Sequence, residues 1–158
     1  MATSTDLENA MDVLSSRIDQ SSEPTQWFEV TQDRVQTFAD ATLDQQWIHV
    51  DPERAKSGPF GAPIAHGQLT MSLMSHLPGG EGVGLPSLEG MKLGINYGWN
   101  KVRFMNPVPV GARIRTIGKL ISVVEKGPML EAINELTVEI EGEDKPACVA
   151  ESVLRLVF

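Results

Sequence analysis

Met129-Leu-Glu-Ala-Ile-Asn-Glu-Leu-Thr-Val-Glu-Ile-Glu141 alternates along its whole length. Ala132, Asn134, Leu136, Val138 and Ile140 point one way, and Glu131, Glu135, Glu139 and Glu141 the other. A period of two is that of a strand with one face on a core and one in water. A second set, Cys148, Ala150, Ser152, Leu154, Leu156 and Phe158, repeats it. Asn106-Pro-Val-Pro-Val-Gly111, Lys126-Gly-Pro128 and Gly142-Glu-Asp144 supply turns between such strands. The spacing predicts long antiparallel strands near 90–104, 112–125, 129–141 and 146–157.

Upstream the pattern changes to helices. Gly67-Gln-Leu-Thr-Met-Ser-Leu-Met-Ser-His-Leu77 is apolar nearly all round and predicts a central helix buried on most sides. Ser57-Gly-Pro-Phe-Gly-Ala-Pro63 before it and the glycine-rich stretch 79–84 after it read as loops. Asp51-Pro52 starts a short helix through Ala55, because proline is suited to the first helical position. Thr31 caps a helix carrying Val35, Phe38 and Ala39 and ending near Thr42. Residues 26–30 read as a short strand, and 43–50 as irregular. Residues 1–24 form an N-terminal helix or arm with weak apolar spacing at Met11, Leu14 and Ile18, which leaves 25–158 as the main domain. Helices first and long strands afterwards give an α+β layer structure, a curved sheet wrapped on one apolar helix.

The 158 residues suffice for one domain with one core. Thirteen basic against 21 acidic residues leave a formal charge of -8, which disfavours nucleic acid. A single cysteine, Cys148, excludes an intrachain disulfide and a cysteine zinc site. No run approaches the ~18 apolar residues of a membrane helix, and Asp6, Glu8 and Asp12 stand where a secretory leader would be basic. A soluble, cytoplasmic protein is expected.

Of three histidines, His49 alone lies beside an acid and a cluster of polar groups. Asp44 precedes it by five residues, so a loop can turn both into one cavity, with Trp47 alongside to exclude water. The plainer reading makes Asp44 a turn former and His49 a hydrogen-bonded loop residue. His66-Gly67 opens the apolar helix, where free amides favour an oxyanion, although glycine there can also serve packing. No nucleophile elbow or phosphate loop is present, and the acids and histidines lack metal-ligand spacing.

Phe38-Ala-Asp-Ala-Thr-Leu-Asp-Gln-Gln-Trp-Ile-His-Val-Asp-Pro-Glu-Arg-Ala55, then Gly61-Ala-Pro-Ile-Ala-His-Gly67 eighteen residues after His49, resembles the MaoC-like, (R)-specific enoyl-CoA hydratase family. Val102-Arg-Phe-Met-Asn-Pro-Val-Pro-Val-Gly111 matches a third family feature, and the likeness spans roughly residues 25 to 157. Gln46-Trp47 stands where the main family has Asn-Pro, a form similar to the nodulation-protein-N-like branch.

The resemblance implies a hot-dog fold, a long helix gripped by an antiparallel sheet, assembled as a homodimer with sites near the subunit contact. It implies a trans-2-enoyl thioester of coenzyme A as substrate, with no metal or other cofactor. By carry-over Asp44 and His49 hold the water that adds across C2=C3, and the Gly67 amide steadies the thioester oxygen. Gln46, Trp47 and His66 are expected beside the substrate. Ser75 is expected on the acyl tunnel or as a packing residue. Lys101 with Arg103, or Arg113 with Arg115, are the clusters available to the coenzyme's phosphates. Rival readings are a dehydratase acting on carrier-protein-bound 3-hydroxyacyl groups, an acyl-thioester-binding protein without turnover, and a thioesterase.

Overall fold

In the computed structural model, which describes residues 4–80, 83 and 85–158, the alternating stretch becomes the middle of an antiparallel sheet. The elements run α1 (Ser4–Ser15), β1 (Phe28–Glu29), α2 (Gln32–Thr42), α3 (Trp47–Val50), α4 (Pro52–Lys56), α5 (Gly67–Leu73), β2 (Leu93–Phe104), β3 (Arg113–Lys126), β4 (Met129–Ile140) and β5 (Cys148–Val157). The sheet order is β1-β3-β4-β5-β2. Residues 1–3 of the expected arm, and 81, 82 and 84 of the expected glycine-rich loop, lie outside the described residues.

The β3-β4 hairpin turns through Gly127 and Pro128, with Lys126 opposite Met129. Gly127 takes φ 61°, the left-handed conformation that a two-residue hairpin turn demands. The register places Arg115 opposite Glu139 and Lys119 opposite Glu135. Their ion pairs, at 2.6 and 3.3 Å, run along the outer face, joined by Arg155–Glu131 at 2.8 Å. The charged face expected from the glutamate spacing is therefore a set of cross-strand pairs.

The inner face carries two core clusters. Leu136, Val138, Ile140 and Ala150 meet Val35 of α2 and Leu69, Met74 and Leu77 of the α5 region. Leu120, Leu130, Ala132 and Leu156 meet Ala10 and Leu14 of α1. Asn134, between Ala132 and Leu136 on β4, is buried and polar. The N-terminal arm is thus part of the packing. Beyond α1 the arm follows β3, as the amides of Asp19, Ser22 and Thr25 donate to the carbonyls of Leu120, Gly118 and Thr116 at 2.7–2.9 Å.

Three expectations change. The central helix is only seven residues, Gly67–Leu73, rather than a long one reaching Leu77. A looser turn follows, with the His76 amide donating to Leu73 O at 2.8 Å, before Pro78 disfavours helical geometry at Leu77. Gln68, Ser72 and His76, four residues apart, make an exposed stripe on this segment. The strand expected over 26–30 contracts to Phe28–Glu29, because the Gln26 amide goes to Pro78 O instead of the sheet. Residues 43–50 are not wholly irregular: α3 is a single helical turn, too short to show a period.

Among the described residues, β2 at one margin of the sheet has no strand on its outer side, and Leu93, Ile95 and Tyr97 on it are large hydrophobic residues and exposed. Among the described residues, no helix is long and apolar enough to cross a membrane.

Candidate active site

Asp44 follows the end of α2, where Leu43 caps the helix in the left-handed region at φ 64°. A leucine there costs on the order of 1 kcal/mol, and its side chain is exposed, so packing does not explain the conformation. The turn redirects the chain so that Asp44 faces back toward α3 and α5. Asp44 Oδ1 accepts a long hydrogen bond from the Gln46 amide at 3.4 Å, so the carboxylate is also a turn former.

Gln46 caps α3, and its carbonyl accepts from the amides of His49 and Val50. His49, on that turn, is 6% exposed. Its Nδ1 lies 2.7 Å from Ile64 O. A carbonyl only accepts, so Nδ1 carries the proton and Nε2 keeps a lone pair. Burial holds the His49 pKa below its ordinary value, with His66 adding in the same direction; the Ile64 bond and Asp44 oppose this. The ring is therefore disposed to be neutral and basic at Nε2 near neutral pH. Gln32 Nε2, at the start of α2, donates to His49 O at 2.8 Å and ties α2 to α3.

Residues 63–65 run antiparallel to 108–110. Ala65 donates to Val108 O at 2.8 Å, and Val110 to Pro63 O at 2.9 Å. This small ladder delivers His66 and Gly67 to the start of α5. His66 stacks on His49, centroids 3.8 Å apart and planes 25° apart. A carboxylate oxygen of Asp44 and one ring nitrogen of each histidine all lie within 4.8 Å of one another. Two of the four ring nitrogens are already engaged, His49 Nδ1 by Ile64 O at 2.7 Å and His66 Nε2 by Asp44 O at 3.0 Å, which leaves His49 Nε2 and His66 Nδ1 as the lone pairs of the cluster.

Beside this cluster is a cavity of about 300 Å³ with mostly apolar walls, lined by His49 and Gly67 together with Phe60, Ile64, Thr70, Phe104 and the 105–108 segment. Gly67 touches the Phe104 ring so closely that a Cβ would lie 3.1 Å from its carbons. The Gly67 amide belongs to the first turn, where amides have no intrahelical acceptor. A seven-residue helix has little macrodipole, so what this position offers is an individual N–H. A larger hollow of about 550 Å³ lies between the arm and the 79–91 segment, and no histidine lines it.

The fold thus brings together Asp44, His49, His66 and Gly67; His49 and Gly67 line the cavity, while Asp44, half-exposed, and His66, buried, adjoin His49. The other candidates stand apart from the cavity wall. Trp47 packs on Gly58, where a Cβ would meet the indole at 2.9 Å, and under the Arg54 guanidinium at 4.4 Å. Gln46 is exposed, and Ser75 is half-buried beyond the end of α5. Lys101 pairs with Glu151 at 2.7 Å, and Arg103 donates to the carbonyl of Val102. Arg113 and Arg115 are engaged by Glu141 and Glu139. Gln32, Phe60, Thr70 and Phe104 were missed by sequence reasoning. Phe104 lay inside the 102–111 motif and was open to being found, whereas nothing local to Gln32 marks a bond reaching seventeen residues along the chain.

Comparison with known proteins gives this arrangement a context. The chain is 52% identical over 132 residues to 3-hydroxyacyl-thioester dehydratase Z of Mycobacterium tuberculosis, covering 83% of this chain and 85% of the relative. It is 43% identical over 145 residues to Nodulation protein N of Rhizobium leguminosarum bv. viciae, covering 90% and 88%. Among solved structures, the (R)-hydratase from A. caviae involved in PHA biosynthesis superposes with a TM-score of 0.70 at 26% identity, over 87% of this chain and 94% of that one. The Archaeoglobus fulgius monoamine oxidase regulatory protein gives 0.73 at 23% identity over 89% of each chain, which speaks for the fold alone. The MaoC-like domain model matches residues 13–140, across the second half of the arm, all three histidines, α5 and β1 to β4 of the sheet, and with these relatives it makes the chain a member of the MaoC-like dehydratase family with a hot-dog fold.

Proposed function

We propose that the chain is a hydro-lyase that interconverts a trans-2-enoyl thioester and the (R)-3-hydroxyacyl thioester. One observation carries the reading: an imidazole disposed to be neutral, with its Nε2 lone pair kept, borders an apolar cavity that also reaches a first-turn glycine amide, with a carboxylate within 4.8 Å of the ring. In the hydration direction, His49 Nε2 takes a proton from water as the oxygen bonds to C3. The C2=C3 electron pair moves toward the thioester, whose oxygen gathers charge beside the Gly67 amide. A proton then returns to C2 from the Asp44–His49 pair, and the two transfers belong to the pair together. A C3–O and a C2–H bond form as a water O–H bond and the C2=C3 π bond break, with no net change of oxidation level, so the step needs no external oxidant or reductant. A base or acid placed this way is typically worth ~10²-fold or more in rate.

The relative named a 3-hydroxyacyl-thioester dehydratase and the superposed structure named an (R)-hydratase describe the two directions of one reaction, which supports this reading. Coenzyme A is the proposed thiol, with Lys101 and Arg103 as its phosphate partners. Lys101 is exposed, and its surface ion pair is weak enough for a phosphate to displace. The second reading, an acyl group on a carrier protein, is favoured by the relative's name, which specifies a thioester without specifying coenzyme A. The outer edge of β2, twelve residues long with exposed Leu93, Ile95 and Tyr97, is proposed to pair with the same edge of a second copy, forming a homodimer.

The test is loss of enoyl-thioester ultraviolet absorbance over a panel of chain lengths on both thiol carriers, with chiral analysis of the product. The (R)-3-hydroxy product is expected, and folded Asp44→Asn and His49→Ala variants should be nearly inactive. Undiminished activity in either variant removes that residue from the mechanism. Release of free thiol would instead make the protein a thioesterase, and tight acyl-thioester binding without hydration would make it a binding protein.

A further inference from the structure

We propose that His66 is a positioning residue, which holds the Asp44 turn by a hydrogen bond and the His49 ring by stacking without itself meeting the substrate. The proposal rests on the hydro-lyase reading of this site. Four observations converge on it. His66 is 2% exposed and is not part of the cavity wall, so a thioester in the cavity meets His49 and Gly67 first. Although His66 is the N-cap residue of α5, its side chain makes no capping bond, so the ring is directed elsewhere. Its Nε2 lies 3.0 Å from the backbone oxygen of Asp44 but 4.0 Å from Oδ2, so the hydrogen bond goes to the main chain that aims the carboxylate rather than to the carboxylate. Its ring centroid lies 3.8 Å from that of His49, with the Phe38 ring tilted against it at 5.0 Å between centroids.

A chemical consequence follows. A carbonyl acceptor requires the proton on Nε2, which leaves Nδ1 as a buried acceptor with no partner among the described residues. The charged or titratable groups facing His66 are Asp44 from the turn after α2 and His49 from α3, while Phe38 of α2 brings no charge. The bond to the Asp44 carbonyl therefore places a proton on His66 Nε2, and the ring keeps His49 and Asp44 in one orientation while remaining outside the proton transfers.

Two variants and one spectrum test this. His66→Phe keeps an aromatic ring on His49 and loses the donor to Asp44 O; His66→Gln keeps a donor and loses the ring. In folded protein, His66→Phe should lower kcat roughly 10- to 100-fold with KM within about twofold, and His66→Gln should recover part of that loss. A raised KM with kcat unchanged would make His66 a substrate contact, and unchanged kinetics would make it mere packing; either overturns the proposal. Nitrogen-15 spectra of histidine-labelled wild-type protein should show His66 as the Nε2–H tautomer and His49 as Nδ1–H, and an Nδ1–H tautomer at His66 overturns the proposal even if neither variant folds. If wild-type protein turns over no enoyl thioester yet gives these tautomers, the hydro-lyase reading fails while the hold of His66 on Asp44 stands.

Discussion

His49 donates Nδ1–H to the carbonyl oxygen of Ile64 across 2.7 Å, joining a one-turn helix to an extended segment fifteen residues further on. That bond selects the tautomer and leaves Nε2 with its lone pair. Because burial lowers the His49 pKa below the ordinary 6.5, folding disfavours protonation of the ring. Below pH 6.5 the unfolded chain takes up a proton that the folded chain resists. The stability contributed by neutral His49 is therefore fully present above 6.5 and is lost as pH falls through the lower folded-state value. Thermal melts against pH should show wild-type protein losing stability more steeply below 6.5 than a His49→Gln variant. Parallel curves would remove His49 as the cause.

Gly67 is required by a neighbour rather than by its backbone angles. A Cβ there would press on Phe104 ring carbons at 3.1 Å, and Phe104, half-exposed, can yield only by moving within the cavity wall. Gly67→Ala is expected to leave the melting temperature nearly unchanged and to reduce kcat/KM roughly tenfold or more, since the displaced ring crowds the space next to the amide. Adding Phe104→Leu should return part of the activity. A double variant no better than Gly67→Ala would show that the ring is not the obstacle.

Gln32 links the first turn of α2 to the carbonyl of His49 at 2.8 Å. Gln32→Leu removes that donor while approximately preserving volume. A stability loss of about 1 kcal/mol by denaturant unfolding is expected, with a several-fold drop in kcat. Unaltered kcat would mean that α3 holds His49 without help from α2.

Leu14 is fully buried in the cluster under α1, away from the cluster that includes α5. Leu14→Ala should cost about 2–4 kcal/mol by chemical denaturation and leave KM unaltered at temperatures where the protein is folded. A negligible loss would make the arm an appendage.

Much of the fold was legible because it is written in local periodicity. The alternation from Leu130 to Ile140 could satisfy a core on only one face, and Gly127-Pro128 could only be a turn, so the hairpin and its charged face followed. Asp51-Pro52 likewise declared the start of α4, where the Asp51 side chain accepts from the Arg54 amide. The length of α5 was less legible, because an apolar run reports burial without reporting where backbone hydrogen bonding stops. Asp44, His49 and Gly67 stood out through motif spacing, whereas Gln32 and Phe60 carry no local mark of the site.

The order of residues by itself determined which faces would be buried, where the chain would turn, and which family's motifs it carries, since each depends on neighbours within a few positions. Only the tertiary structure decided that His66 turns its Nε2–H to the Asp44 carbonyl, that Arg113 and Arg115 are taken up by Glu141 and Glu139, and that Phe104 lies on Gly67. Those relations join groups 22 to 37 positions apart, and a hydrogen bond or ring contact exists only once the sheet and its helices have brought both partners to within about 4 Å.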